Sequence, residues 1–171
     1  MTSFPSFLIF LVFFTSCSTN SRYMGLQNDL IVEYANDMKY KYEVEAVGTG
    51  GGGPTNVKTI SVEFWAFYEV GQQQARTIFV DCIESLLRKM NSNKKIRPYL
   101  NDFPSTFKNT DVTLAFYSNR NLVRPSNNKI ALVYLAKDGM VYYDTYDYSI
   151  DDFVTLYSES YEEALSKVCN N

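Results

Sequence analysis

The chain contains no histidine. Ser-His-Asp and Cys-His catalysis therefore lack their base, and the commonest zinc ligand is missing. Cysteine is scarce too, three in 171 residues, and once Cys17 is set aside Cys82 and Cys169 cannot build a thiolate zinc site. No charged side chain precedes Arg22, and the apolar run at 7–14 is shorter than the roughly 20 residues of a membrane-spanning helix. Internal repeats are absent. With a net charge of −3 and a pI near 5.0, the composition also argues against a nucleic-acid partner.

What is present is material for a core. Hydrophobic residues make up 46% of the chain and aromatics 16%, enough burial to offset the entropy of ordering one domain. The first residues, MTSFPSFLIFLVFFTSC, differ in character from the remainder, and their short apolar run suits the h-region of an export signal. The stretch Phe14-Thr15-Ser16-Cys17 that closes the run resembles the lipobox of bacterial lipoprotein precursors. That resemblance implies a signal peptide over 1–16 and fatty acylation, palmitate included, of Cys17 as the mature N-terminus. It also implies membrane attachment through that lipid. Ser18 in second place resembles an outer-membrane sorting signal, so the implied location is the bacterial cell envelope, at the outer membrane, facing the periplasm or the cell surface. The rest of the chain is similar only to small lipoproteins of unassigned function, which implies no mechanism. In an oxidising compartment Cys82 and Cys169 could form a disulfide, or stand as an unpaired core residue and a terminal one.

The polar stretch that follows predicts a tether over 17–27 and a single domain over 28–171. Leu30, Ile31, Tyr34, Met38 and Tyr42 recur at three-to-four spacing, which predicts a first helix over 28–46. Alternation of Ile60, Val62, Phe64 and Ala66 with Ser61, Glu63 and Trp65 predicts a strand over 59–70. The stripe Ala75, Phe79, Cys82, Ile83, Leu86 and Met90 predicts a helix over 71–91. A proline-bearing irregular loop follows over 91–109, then strands around 112–116, 129–136 and 140–147. Asp138-Gly139 signals a hairpin with a type I′ turn between the last two. Phe153, Leu156, Tyr157, Tyr161, Ala164 and Val168 on one face predict a closing helix over 151–168. The expected class is α+β, a two-layer sandwich of helices on a four-stranded, mainly antiparallel sheet. Its expected element order is α-β-α-β-β-β-α, with strand order open.

Three features are candidates for function. Gly48, Gly50 and Gly53 fit GxGxxG, but Pro54 stands where a P-loop needs lysine, and the expected order is helix, glycines, strand, so no helix N-terminus follows to meet a phosphate. The glycines fit a turn, with an anion-binding nest or a partner contact at Gly50, Gly51 and Gly52 as the functional alternative. On the 140–147 strand, Tyr142, Tyr146 and Asp144 form a candidate partner-binding set, although alternation also accounts for tyrosines of both core and surface. Residues 88–137 carry ten basic and two acidic side chains, and 138–163 carry eight acidic and no basic ones. Arg88, Lys89, Lys94, Lys95 and Arg97 could meet anionic lipid or simply solvate a helix end.

No cofactor or catalytic residue is expected. The leading expectation is a non-enzymatic binding or adaptor domain, contacting a protein or another envelope component. The alternatives are an envelope hydrolase using carboxylate and tyrosine groups near 144–152, and a purely structural assembly lipoprotein. Calorimetric titration with ATP, GTP or NAD is expected to show no saturable heat. Saturable binding that a Gly50→Val change removes would reverse that expectation.

Overall fold

The computed structural model describes residues 19–53 and 56–170; Cys17 and the apolar run before it lie outside the described residues. The first helix, α1 (Thr19–Tyr42), buries Leu30, Ile31, Tyr34 and Met38 as their spacing dictates. It starts well before position 28 because Tyr23 is itself an anchor. That ring is buried, tilts against Tyr99 at 6.2 Å, and donates its hydroxyl to the Gly53 carbonyl at 2.5 Å. Gln27 is also buried, so the stretch expected to be a tether is helical from Thr19 and packed on the domain from Tyr23. At the other end Glu43 turns left-handed, with φ 55°, and its N–H bonds back to the Lys39 carbonyl at 2.9 Å, which stops the helix before 46.

Six strands form one mixed sheet, two more than expected: β1 (Glu45–Gly51), β2 (Ile60–Ala66), β3 (Thr110–Phe116), β4 (Leu132–Leu135), β5 (Met140–Asp147) and β6 (Asp152–Ser160). Their spatial order is their chain order, and every neighbouring pair is antiparallel except β2 and β3. That parallel pair is joined through α2 (Gln72–Ser92), as a parallel connection requires. The remaining helix is α3 (Tyr161–Cys169). The general α+β class holds; the observed element order is α-β-β-α-β-β-β-β-α.

Both unexpected strands hid from local pattern. In β1 the sequence EAVGTGG has poor strand propensity, yet β2 supplies a partner for it from Glu45↔Trp65 to Gly51↔Ile60 and the ladder overrides propensity. In β6 the register steps from Tyr143↔Tyr157 to Asp144↔Thr155, which leaves Leu156 as the extra residue of a bulge. The bulge reverses the alternation, so Phe153, Leu156 and Tyr157 imitate helical spacing while lying in an extended strand. Only the second half of the expected closing helix is helical. It starts where Ser160 and Glu163 cap each other, the Glu163 N–H donating to Ser160 Oγ at 3.1 Å and the Ser160 N–H to Glu163 Oε2 at 3.2 Å.

The hairpin at Asp138-Gly139 is present, with a different turn. Ala136 N–H reaches the Met140 carbonyl at 2.8 Å, and Gly139 alone takes positive φ, at 88°. The loop therefore has three residues rather than the two of a type I′ turn.

All three helices pack on one face of the sheet. Ile60, Val62 and Phe64 of β2, Val112, Leu114 and Phe116 of β3, and Val133 and Val141 meet the apolar stripe of α2 there. Each large side chain so buried contributes about 1.5–3 kcal/mol. Tyr34 spans α1 and α2, donating to the Cys82 carbonyl at 2.9 Å. Cys82 is buried and free, and Cys169 is exposed and free; burial pushes the Cys82 thiol up to about 12. It acts as a small apolar side chain.

One ionised cluster lies in this layer. The Glu159 side chain is 0% exposed and accepts hydrogen bonds from Arg76 of α2 at 2.6 Å, Lys167 of α3 at 2.7 Å and the Tyr143 hydroxyl of β5 at 2.8 Å. Burial pushes its carboxyl up, but the Arg76, Lys167 and Tyr143 donors outweigh that and hold it below the ordinary glutamate value. Arg76→Met is expected to destabilise the fold by about 2–3 kcal/mol in chemical denaturation. A carboxylate with a depressed folded pKa contributes stability above its unfolded pKa and loses it as pH falls through the folded one. The variant should therefore show a shallower acid limb in its stability curve. Unchanged stability and an unchanged limb would show that the cluster does not hold the helices to the sheet.

Candidate functional site

Alternation along the strands builds a second face, which no described helix covers. Ser61, Glu63 and Trp65 of β2 point to it, as do Asp111, Thr113 and Ala115 of β3, because Val62, Phe64, Val112 and Leu114 point to the helices. The register carries this face across the sheet in rows. Glu63 pairs with Thr113, Thr113 with Tyr134, Tyr134 with Tyr142, and Tyr142 with Ser158. The next row runs Trp65, Ala115, Leu132, Asp144, Thr155, and beyond it Tyr146 pairs with Phe153. Tyr142, Asp144 and Tyr146 thus share one face, as their spacing of two dictates.

Aromatic rings dominate this surface. Tyr134 and Tyr142 stack with centroids 5.3 Å apart, and Trp65 meets Tyr117 edge-on at 5.4 Å. Arg124 lies over three rings at once, Tyr117 at 5.2 Å, Tyr146 at 5.3 Å and Phe153 at 4.8 Å, while Arg120 lies 4.7 Å from Phe67. Each such contact is worth about 0.5–1 kcal/mol when exposed, so together they pin the 117–131 segment to one end of the face. Its position is secured by Tyr148, whose hydroxyl donates to the Arg124 carbonyl at 2.7 Å.

Asp144 is the unusual member. It is only 6% exposed, and its Oδ1 is enclosed with no hydrogen-bond partner among the described residues. Burial pushes its carboxyl above the ordinary aspartate value, against the opposing Thr155 hydroxyl. The neighbouring Tyr134 is raised by its own burial and then by the Asp144 charge. The other nearby aspartates do not join it. Asp147 accepts from the Ser149 N–H at 2.8 Å and the Ser149 hydroxyl at 2.6 Å, Asp152 accepts from the Phe153 N–H at 2.7 Å, and Asp151 accepts from the Tyr146 hydroxyl. The Asp151 bond is the main cause of the raised Tyr146 pKa. These three carboxylates close the β5–β6 turn and its flanks, so none of the three is paired with Asp144. Among the described residues, no group of three or more His, Cys, Asp or Glu side chains could hold a metal ion.

The glycines lie elsewhere. Three strands separate β1 from β5, so Gly50, Gly51 and Gly52 do not join the tyrosine set. Gly50 lines a depression of about 240 Å³ at the β1 margin of the same face, with Gly48, Ser61, Glu63, Asp111 and Thr113. Gly51 is required by the backbone. At φ 106° an added Cβ would fall 2.1 Å from the Thr59 carbonyl oxygen. Its neighbour Gly52 turns the chain by donating its N–H to that same carbonyl at 2.8 Å. Gly48 to Gly51 are committed to the β2 ladder, and β2 rather than a helix follows them.

Trp65, Tyr117, Phe153 and Arg124 complete the surface and were not among the expected site residues. Alternation had placed Trp65 outward, but Phe153 was hidden by the bulge and Arg124 by a loop without periodicity. Compared with known proteins, the chain matches no family model, no curated protein and no solved structure.

Asp144→Asn is expected to raise stability at neutral pH by about 1 kcal/mol, because it removes a desolvated charge. A raised folded pKa contributes stability that is present below the unfolded value and lost as pH rises through the folded one. The gain should therefore vanish in acid, below the ordinary aspartate range. A loss of stability at every pH would instead identify Asp144 as a net stabilising acceptor.

Proposed function

We propose that the chain is a lipid-anchored envelope protein whose open sheet face binds a partner, a protein or another envelope component, without catalysis. The observation that carries this reading is the one-sided coverage of the sheet, which leaves Trp65, Tyr134, Tyr142, Tyr146 and Phe153 only half-buried on a face rimmed by Arg120 and Arg124. Tyrosine, tryptophan and arginine are the side chains that anchor interfaces, since each combines large contact area with a polar tip. The lone Asp144, without a second carboxylate beside it, favours recognition over hydrolysis. Attachment rests on the lipobox-like residues ending at Cys17. Among the described residues, no helix is long and apolar enough to cross a membrane, and α1 starts at Thr19 with Tyr23 already buried, so a lipid on Cys17 would hold the domain close to the bilayer. The outer membrane is the proposed site.

Mass spectrometry of the full chain from a bacterial envelope is expected to find lipid on Cys17. A photo-crosslinking residue at position 142 should capture one discrete partner, and the same residue at Tyr40, fully outward on α1, should not. Tyr142→Ala should cost about 1 kcal/mol or more in affinity for that partner without altering the fold. An unmodified Cys17 would overturn the anchor; adducts from position 40 and none from 142 would overturn the face.

A further inference from the structure

The start of α1, the C-terminal end of α2 and the 94–109 loop meet at one pole of the sheet. Tyr23 packs on Tyr99, and the Tyr99 segment is stitched to the approach of β2, the Val57 N–H donating to the Tyr99 carbonyl at 2.7 Å and the Asn101 N–H to the Val57 carbonyl at 2.9 Å. This pole is basic. Lys94, Lys95, Arg97 and Lys108 are exposed there, and among the described residues no ion pair engages them. Two other members of the basic run are differently occupied. Lys89 is pinned between Glu33 and Asp37 of α1, and Arg88 donates to Ser85.

The same pole exposes large apolar side chains. Phe103 is 52% exposed with the Arg97 guanidinium 4.4 Å from its ring, and Met24 on the first turns of α1 is 53% exposed. A cluster of basic groups around exposed apolar tips suits the headgroup layer of an anionic bilayer, where charge meets lipid phosphate and the tips enter the acyl boundary. The chain that precedes Thr19, with the apolar run at 7–14 and Cys17, joins the domain at this pole. We infer that this pole is a membrane-docking surface for anionic lipid. Lys94, Lys95, Arg97 and Lys108 lie on the headgroups and Phe103 and Met24 insert. The inference rests on the membrane attachment proposed above and adds an orientation to it. The strands then run away from the bilayer, with the 147–152 turn at the far end and the aromatic face standing to the side.

The test uses the full chain reconstituted in vesicles of phosphatidylcholine alone or mixed with phosphatidylglycerol, bearing a fluorescent noncanonical residue at position 103 or at position 150. A lipid-borne quencher should quench position 103 severalfold more than position 150 in the anionic vesicles. The difference should shrink in phosphatidylcholine alone and in high salt. Each of Lys94→Gln, Lys95→Gln and Arg97→Gln should lower the docked-to-undocked ratio roughly fivefold. Equal quenching at the two positions, or quenching at 103 that ignores the three substitutions, overturns the docking surface. The mass of Cys17 judges the anchor separately. Lipid on Cys17 with no quenching at 103 leaves the anchor and removes the docking, and quenching at 103 with an unmodified Cys17 does the reverse.

Discussion

Glu159 joins the layers. Its carboxylate sits on the helix face of the edge strand β6, fully enclosed, and takes hydrogen bonds from α2, from α3 and from the neighbouring strand. A charge removed from water at that position would be strongly unfavourable without Arg76 and Lys167. With them, the last strand, the last helix and the central helix have one compatible arrangement. Apolar burial of the α2 stripe is non-directional, whereas the ionised contact joins named atoms of three elements. It also explains why α3 can be a short helix of 9 residues and still hold its place, since Lys167 carries it to the same carboxylate.

One consequence is asymmetry. Because every helix lies on the Glu159 side, the aromatic residues of the other parity pack against one another and two arginines, with Glu63 and Asp151 accepting from Trp65 and Tyr146. Stacking of Tyr134 on Tyr142 and the position of Arg124 over three rings order this face, which would lower the entropy that the proposed binding must offset. Asp144 stands apart from that economy, as a desolvated carboxylate with an enclosed, unbonded oxygen, a local cost of the sort that concentrates where a surface serves something other than stability. A second consequence is polarity along the strands. The 94–109 loop with its basic side chains and the aspartate-bearing β5–β6 turn lie at opposite ends of the sheet, so a membrane-docked domain would present its aromatic face sideways.

Legibility followed local interaction. The α2 stripe, the alternation of β2 and the glycine-marked hairpin before β5 were readable because each is specified by neighbours within a few residues. Tyr142, Asp144 and Tyr146 share one face because a spacing of two in a strand places side chains on the same side. Gly50 to Gly52 were grouped with them only by their promise as partner contacts, and three intervening strands keep them apart. Strand β1 carries almost no propensity of its own and exists because β2 offers a ladder, while β6 has a bulge that counterfeits the period of a helix. The start of α1 was hidden because the buried stripe continues back through a polar residue, Gln27, to Tyr23, in a stretch whose composition is otherwise polar.

Periodicity and composition alone determined the α+β class, the central helix, the outward parity of Trp65 and the absence of a histidine-based site, since each depends on side-chain type and on neighbours close in the chain. Only the tertiary structure decided which sheet face stays uncovered, that Arg124 closes one end of it, that Asp144 is desolvated, and that the 94–108 basic residues share a pole with the start of α1. Those are contacts between segments far apart in sequence, and their geometry is set by strand register and by one buried carboxylate, neither of which leaves a local periodic trace.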